Sequence, residues 1–215
     1  MCGVAGFASK EPIDLKDFRV VLDEIGVRGI HSTGMSWFNE VTQHRILQKP
    51  YYEFDIPSDK AHSAIFHTRY STSNVEYPQP VYNNNKSIAH NGVITQTDFE
   101  NWQYEFGYLG HNKCDTSLML QTEIHPLAEF PDASMAAIEL TANIIEFYRN
   151  EQRPLYYIQR PGLVVVASTK RALEYFGVPR MCEPCVSYTF DGENLLREQI
   201  REPQTDLQLY GSEEN

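Results

Sequence analysis

Short apolar runs and polar breaks follow one another along the chain on an irregular beat, and the runs are of two kinds. Some are continuously apolar or alternate with a period of two, as strands do; others repeat every three or four residues, as helices do. Residues 3–8 (GVAGFA) are small and apolar, as a buried strand would be, and EPID (11–14) reads as a turn. From Asp14 to Ile25, the residues Leu15, Phe18, Leu22 and Ile25 recur at helical spacing, with Gly26 placed as the C-cap. GMSWFN (34–39), VTQHRILQ (41–48) and SAIFHTR (63–69) then read as strands. A stretch rich in Pro, Asn and Tyr (74–86) separates them from SIAHNGVIT (87–95).

The second half opens with predicted helices at 96–106 and 115–124, and the spacing of Ile138, Ala142 and Ile145 predicts a longer one over 133–149. PLYYIQ (154–159) and GLVVVAS (162–168) follow as strands. The second is almost entirely β-branched, as expected where both faces are covered. A short helix (169–176) and strands at 186–190 and 194–201 come last, before a predicted flexible tail at about 210–215. Strands and helices interleave without a regular βαβ beat, which points to an α+β fold with mostly antiparallel sheets. No repeat or linker divides the chain, so residues 1–215 are expected to form a single domain.

Composition narrows the possible partners. With 41% hydrophobic and 12% aromatic residues, the chain has the make-up of a folded globular protein. Its formal net charge of -11, from 18 basic and 29 acidic side chains, repels phosphate backbones and anionic lipids. Nucleic-acid and membrane partners are therefore not expected, although a small anionic or zwitterionic ligand could sit in a locally positive pocket. No signal peptide opens the chain, and no run of about 18 apolar residues is long enough to span a membrane. Four cysteines, Cys2, Cys114, Cys182 and Cys185, are too few for a disulfide scaffold, so a cytoplasmic location is expected.

Candidate chemistry begins at Cys2. Removal of Met1 is expected because the next side chain is small, and Cys2 would then carry a thiol and a free α-amine on one carbon. An α-amine titrates at about 8 and a thiol at about 8.5, so one residue supplies both nucleophile and general base. In HTRYSTSN (67–74), Arg69 follows an apolar strand and can present a bidentate fork to a carboxylate. The turn hydroxyls after it, Thr72 among them, add hydrogen bonds. The amide of Asn91 and the backbone N–H of Gly92 can converge on one oxyanion. Asp115, at a predicted helix start, serves either as an N-cap or as the acceptor for a substrate ammonium group. Taken together, these residues would read an amino acid that carries a side-chain amide.

MCGVAGF, RGIHSTG (28–34), HTRYSTSN, AHNGVI (89–94) and CDTS (114–117) occur in that order and resemble the motif series of class II glutamine amidotransferase domains. Those domains are N-terminal nucleophile hydrolases. PLYYIQRPGLVVVASTKRAL (154–173) is similar to the family's later strand pair, so the resemblance extends over most of the chain. It implies a four-layer αββα sandwich, attack of Cys2 on glutamine, a γ-glutamyl thioester, and release of glutamate and ammonia. Arg28 is implied as a residue of the supporting loop. Free ammonia is mostly protonated at neutral pH, so a separate synthase or ligase partner is expected to receive it. The chain departs from the family at four places. His31 stands where Asp is usual, Tyr70 where many members have Trp, Ser73 where several have His, and Asn74 where Gly is found.

Other motifs carry less. Cys182-Glu-Pro-Cys185 has no second ligand pair for zinc and no thioredoxin-like setting. The seven histidines show no metal-ligand spacing, and no Walker-type or GxGxxG loop is present. No metal or cofactor is therefore expected. Two alternatives to a glutaminase stay open: a hydrolase of a different amide on the same fold, and an idle amide-binding module that regulates a partner.

Overall fold

The computed structural model describes residues 2–71, 77–84 and 86–204; Thr72, Ser73, Asn74 and the 210–215 tail lie outside these. In chain order come β1 (Gly3–Asp14), a 3-10 turn (Leu15–Phe18), α1 (Arg19–Gly26), β2 (Ser32–Asn39), β3 (Val41–Leu47) and β4 (Lys60–Arg69). Next are β5 (Val81–Tyr82), β6 (Ser87–Val93), α2 (Trp102–Phe106), a 3-10 helix (Asp115–Leu120) and α3 (Pro126–Glu129). The chain continues through β7 (Ser134–Thr141), β8 (Ile144–Arg149), β9 (Tyr156–Arg160), β10 (Leu163–Ala167) and α4 (Arg171–Glu174). It closes with β11 (Arg180–Met181), β12 (Val186–Phe190) and β13 (Leu195–Gln199).

Among the described residues the strands form two antiparallel sheets. One has seven strands in the order β11-β9-β10-β1-β4-β2-β3, the other six in the order β13-β12-β8-β7-β6-β5. Strand alternation explains how they stack. On β1, Ala5 and Phe7 pack beneath α1 and α4, whereas Val4 and Ala8 face the second sheet. On β10, Val165 and Ala167 take the helix side and Val164 and Val166 the sheet side. In the six-stranded sheet, Ala136, Ile138 and Leu140 of β7 line the gap between sheets. Met135 and Ala137 turn outward against Trp102, Leu118 and Leu127 of the short helices. The layers are therefore helix, sheet, sheet, helix, the α+β sandwich that the resemblance implied.

Strand positions agree with the sequence pattern better than helix positions do. The helix predicted over 133–149 is the β7–β8 hairpin, with Thr141 opposite Ile144 and Ala142 at a φ of 51° in the turn. β7 is covered on both faces, so its apolar residues lose the period of two and a helical spacing can be drawn through them. No glycine or proline marks the turn. EPID continues β1 past a register shift between Ala8 and Ile13 rather than turning. The helices expected at 96–106 and 115–124 shrink to α2 with a preceding 3-10 turn and to the 3-10 helix Asp115–Leu120. Gly26 is the last residue of α1, and Val27 occupies the C-cap. Among the described residues no helix is long and apolar enough to cross a membrane.

Candidate functional site

Cys2 sits immediately before β1, on a backbone with little freedom. A Cβ at Gly3 would lie 2.5 Å from the Ile25 carbonyl oxygen and 2.7 Å from Thr68 Oγ1, so only glycine fits. That closeness comes from Thr68 Oγ1 donating to the Ile25 carbonyl at 2.8 Å, which ties the end of α1 to β4. The Val4 N–H donates to Ser168 Oγ at 3.1 Å, and the Ser168 N–H returns a bond to the Val4 carbonyl at 2.8 Å. Arg28 Nη1 donates to the carbonyl of the same Ser168 at 3.2 Å. Cys2 is half-buried, and its Sγ lies 4.0 Å from the Tyr70 carbonyl oxygen.

Register and alternation bring Arg69 to the same place. Gly3 pairs with Thr68 and Val4 with His67, so the ladder carried one residue outward sets Cys2 across from Arg69. Cys2 has the parity of Val4, and Arg69 that of Ile65, and both of those residues line the gap between sheets. Asn91 enters the gap from the opposite sheet. It has the parity of Ala89 and pairs with Ala136, two further residues of the inter-sheet core. Its Nδ2 is buried without a hydrogen-bond partner among the described residues, as is Arg69 Nε. The Arg69 guanidinium also lies over the Tyr77 ring, 5.7 Å from its centroid. By the same parity His67, whose two ring nitrogens also lack partners among the described residues, faces the gap; three such buried side chains beside a thiol are unusual in a folded interior.

Gly92 follows at a φ of 148°, and a Cβ there would lie 1.8 Å from the Ser134 carbonyl oxygen. Both the backbone and the space demand glycine. Asp115 is held against the end of β6, because the Ile94 N–H donates to its Oδ2 at 2.7 Å. It is the first residue of its 3-10 helix; Cys114 is the N-cap and provides no side-chain cap. The N-cap alternative for Asp115 is thus not what the chain adopts. Of the predicted residues, Arg69 and Asn91 hold gap-facing positions by strand parity, Cys2 continues that parity beyond the end of β1, and Gly92 and Asp115 adjoin the β6 end.

The electrostatics of the gap are set by burial. His67 is fully buried and its imidazole is pushed down to about 3, first by desolvation and then by the charges of Arg69 and His90. His90 is lowered too, mainly by desolvation, while Asp115 and the Ser134 carbonyl act in the opposite direction. Its Nδ1 meets Thr116 Oγ1 at 3.1 Å, linking β6 to the Asp115 helix. Cys114 is raised to about 12 by burial, with Asp115 adding to the effect.

No family model and no curated protein matches the sequence, whereas solved structures match the fold closely. Glutamine phosphoribosylpyrophosphate amidotransferase from B. subtilis superposes with a TM-score of 0.78 at 22% identity, over 93% of this chain and 49% of that one. A structure described as the allosteric regulatory enzyme of purine biosynthesis gives 0.77 at 21% identity, again over 93% of this chain and 49% of its own. A glutamine aminotransferase class-II domain protein from Silicibacter pomeroyi gives 0.59 at 13% identity, covering 94% of this chain and all of that one. The chain has the fold of a glutamine amidotransferase domain. It spans about half the length of the first two structures.

On this amidotransferase fold, several residues matter that the sequence did not single out. His31, noted only as a departure, has a specific use: the Ser71 N–H donates to its Nδ1 at 2.7 Å. Ser168 belongs to the ASTKRAL segment that carried the later resemblance, but its bonds to Val4 and Arg28 span too many residues to be read locally. The two thiols of Cys182 and Cys185 are buried and raised by desolvation, Cys185 to about 12. Among the described residues no cluster of His, Cys, Asp or Glu could hold a metal ion.

Proposed function

We propose that this chain hydrolyses the side-chain amide of glutamine, with Cys2 as nucleophile, and supplies the ammonia to a separate synthase or ligase. The observation that carries this reading is the buried Asn91 Nδ2, without a partner among the described residues and at a gap-facing position of β6 by strand parity. A buried donor that holds no partner within the fold is what an oxyanion site requires, since its bond forms only when charge develops. The amidotransferase fold, shared with glutamine phosphoribosylpyrophosphate amidotransferase, supports glutamine as the amide.

With Met1 removed, the α-amine of Cys2 takes the thiol proton and the sulfur attacks the amide carbon of glutamine. The negative oxygen of the tetrahedral adduct is received by Asn91 Nδ2 and the Gly92 N–H. Collapse breaks the C–N bond, and the amine returns the proton to the departing ammonia. Water then cleaves the γ-glutamyl thioester, restoring the thiol and giving glutamate. Arg69, assisted by the Thr72 hydroxyl, binds the α-carboxylate. Asp115, oriented by the Ile94 N–H, binds the α-ammonium. No metal or cofactor enters the sequence of steps.

The experiment is steady-state release of glutamate and ammonia by the purified chain, with intact mass to establish that Met1 has been lost. Cys2→Ala is expected to abolish turnover, and normal turnover by that variant sinks the reading. Arg69→Ala should chiefly raise KM for glutamine, because it removes a contact remote from the reacting carbon. A screen in which asparagine or an N-acyl amide outperforms glutamine would move the assignment to a different amide.

A further inference from the structure

The segment Arg69–Tyr70–Ser71 follows directly on Thr68, the partner of Gly3 beside Cys2, and its Tyr70 carbonyl lies 4.0 Å from the thiol. Most of what holds β4 stops at Arg69, where the strand ends. Beyond it, His31 takes over. Its backbone N–H donates to the Arg69 carbonyl at 2.9 Å, its Nδ1 accepts the Ser71 N–H at 2.7 Å, and its ring lies 5.1 Å from that of Tyr70. One residue therefore touches all three members of the segment. Accepting at Nδ1 places the ring proton on Nε2. The contact is within reach of a carboxylate as well, since an acceptor near the Ser71 amide is the only chemical requirement.

We propose that His31 is a positioning residue for glutamine binding: its Nδ1 fixes the Ser71 amide and so sets the Arg69 guanidinium and Tyr70 carbonyl relative to Cys2. The proposal rests on the glutaminase reading for its ligand, but not for the bond itself. A ring acceptor here does the work of a carboxylate without adding a negative charge next to the residue that binds the substrate carboxylate.

Two variants separate the acceptor from the ring. His31→Phe keeps an aromatic ring against Tyr70 and removes the acceptor, whereas His31→Asp keeps an acceptor and removes the ring. The first measurement is hydrogen exchange at the Ser71 amide, which needs no substrate. Protection should persist in the parent and in His31→Asp and be lost in His31→Phe. The second is the KM-against-kcat split: His31→Phe should raise KM for glutamine about tenfold, as expected for one lost hydrogen bond, with kcat within about twofold. His31→Asp should restore KM to within about threefold of the parent. Unchanged Ser71 exchange in His31→Phe overturns the proposal. Lost protection with an unchanged KM also overturns it, because the bond would then serve only the loop. If the parent turns over no glutamine, the glutaminase reading fails, and the exchange arm still decides whether His31 holds the turn.

Discussion

Replacing Asn91 by alanine removes a buried donor that holds no partner among the described residues, so the effects on stability and on turnover should separate. Asn91 is 2% exposed, and its Nδ2 makes no hydrogen bond. A buried donor in that state costs about 1–3 kcal/mol of desolvation, which the substitution relieves. The void left by the shorter side chain acts in the opposite direction, at about 24 cal/mol per Å³ of cavity. The two terms oppose, and global stability should change by less than about 1 kcal/mol. Turnover should respond very differently. Loss of one oxyanion donor costs about 2.7–4 kcal/mol of transition-state stabilisation, or about 10²–10³ in kcat. KM should hardly move, because the charge that Asn91 meets exists only in the transition state. The assay is glutamate release at saturating and limiting glutamine, run beside urea unfolding, with Asn91→Leu as a volume-preserving second variant. Retention of kcat within about threefold in both variants would refute the oxyanion assignment. A loss of several kcal/mol in stability would instead show that the amide has a structural partner.

Three further outcomes follow from the same geometry. Gly92→Ala places a Cβ 1.8 Å from the Ser134 carbonyl at a φ of 148°, so denaturant unfolding should show a loss of about 2–5 kcal/mol. His67 is held near 3 in the folded chain against an ordinary value of 6.5, so the unfolded chain takes up the proton first as pH falls. Its contribution is intact above about pH 6.5 and is lost at about 1.4 kcal/mol per pH unit below that; urea unfolding at pH 7 and 5 should show a loss that shrinks in His67→Gln. Iodoacetamide at neutral pH should label half-exposed Cys2 in the native chain and spare buried Cys114, Cys182 and Cys185, read by peptide mass. Equal labelling of all four would contradict the burial.

Local pattern was enough for most strands and for the pieces of the site, and it failed where the information is not local. The strand expected at 186–190 is β12 to the residue, because its flanks carry polar breaks. The hairpin at 134–149 was hidden because strand burial on both faces erased the alternation, and the turn from Thr141 to Ile144 carries a single Asn143 and neither glycine nor proline. Arg69 and Asn91 were visible as polar residues ending apolar strands. That both face one gap depends on two sheets stacking, which no spacing within either strand encodes. His31 was visible as a substitution without a use. Its use appears only once the ends of two adjacent strands, 37 residues apart, meet (Ser32 opposite Arg69). His67 was a residue of a motif, and its burial and missing partners come from tertiary packing alone.

The charge inventory of the gap fits the proposed substrate better than the net charge of the chain suggests. A total of -11 repels a carboxylate at long range, yet exposed charges are screened beyond about 8–10 Å at physiological salt. Within the gap the count is small. Arg28 is bonded to the Ser168 carbonyl, and Arg153 is bonded through its guanidinium to Ser134 Oγ. His67 and His90, both buried beside Arg69, are pushed toward their neutral forms, so neither adds a second cation. Among the described residues one guanidinium, that of Arg69, has a gap-facing position, and one carboxylate, Asp115, stands at the β6 end. A zwitterionic amino acid presents one carboxylate and one ammonium, so the match is one to one and neutral overall. His31 preserves that balance: an aspartate there would place a second carboxylate beside Arg69, and the imidazole supplies the same acceptor without it. Affinity for glutamine should then depend only weakly on ionic strength, despite the acidity of the chain.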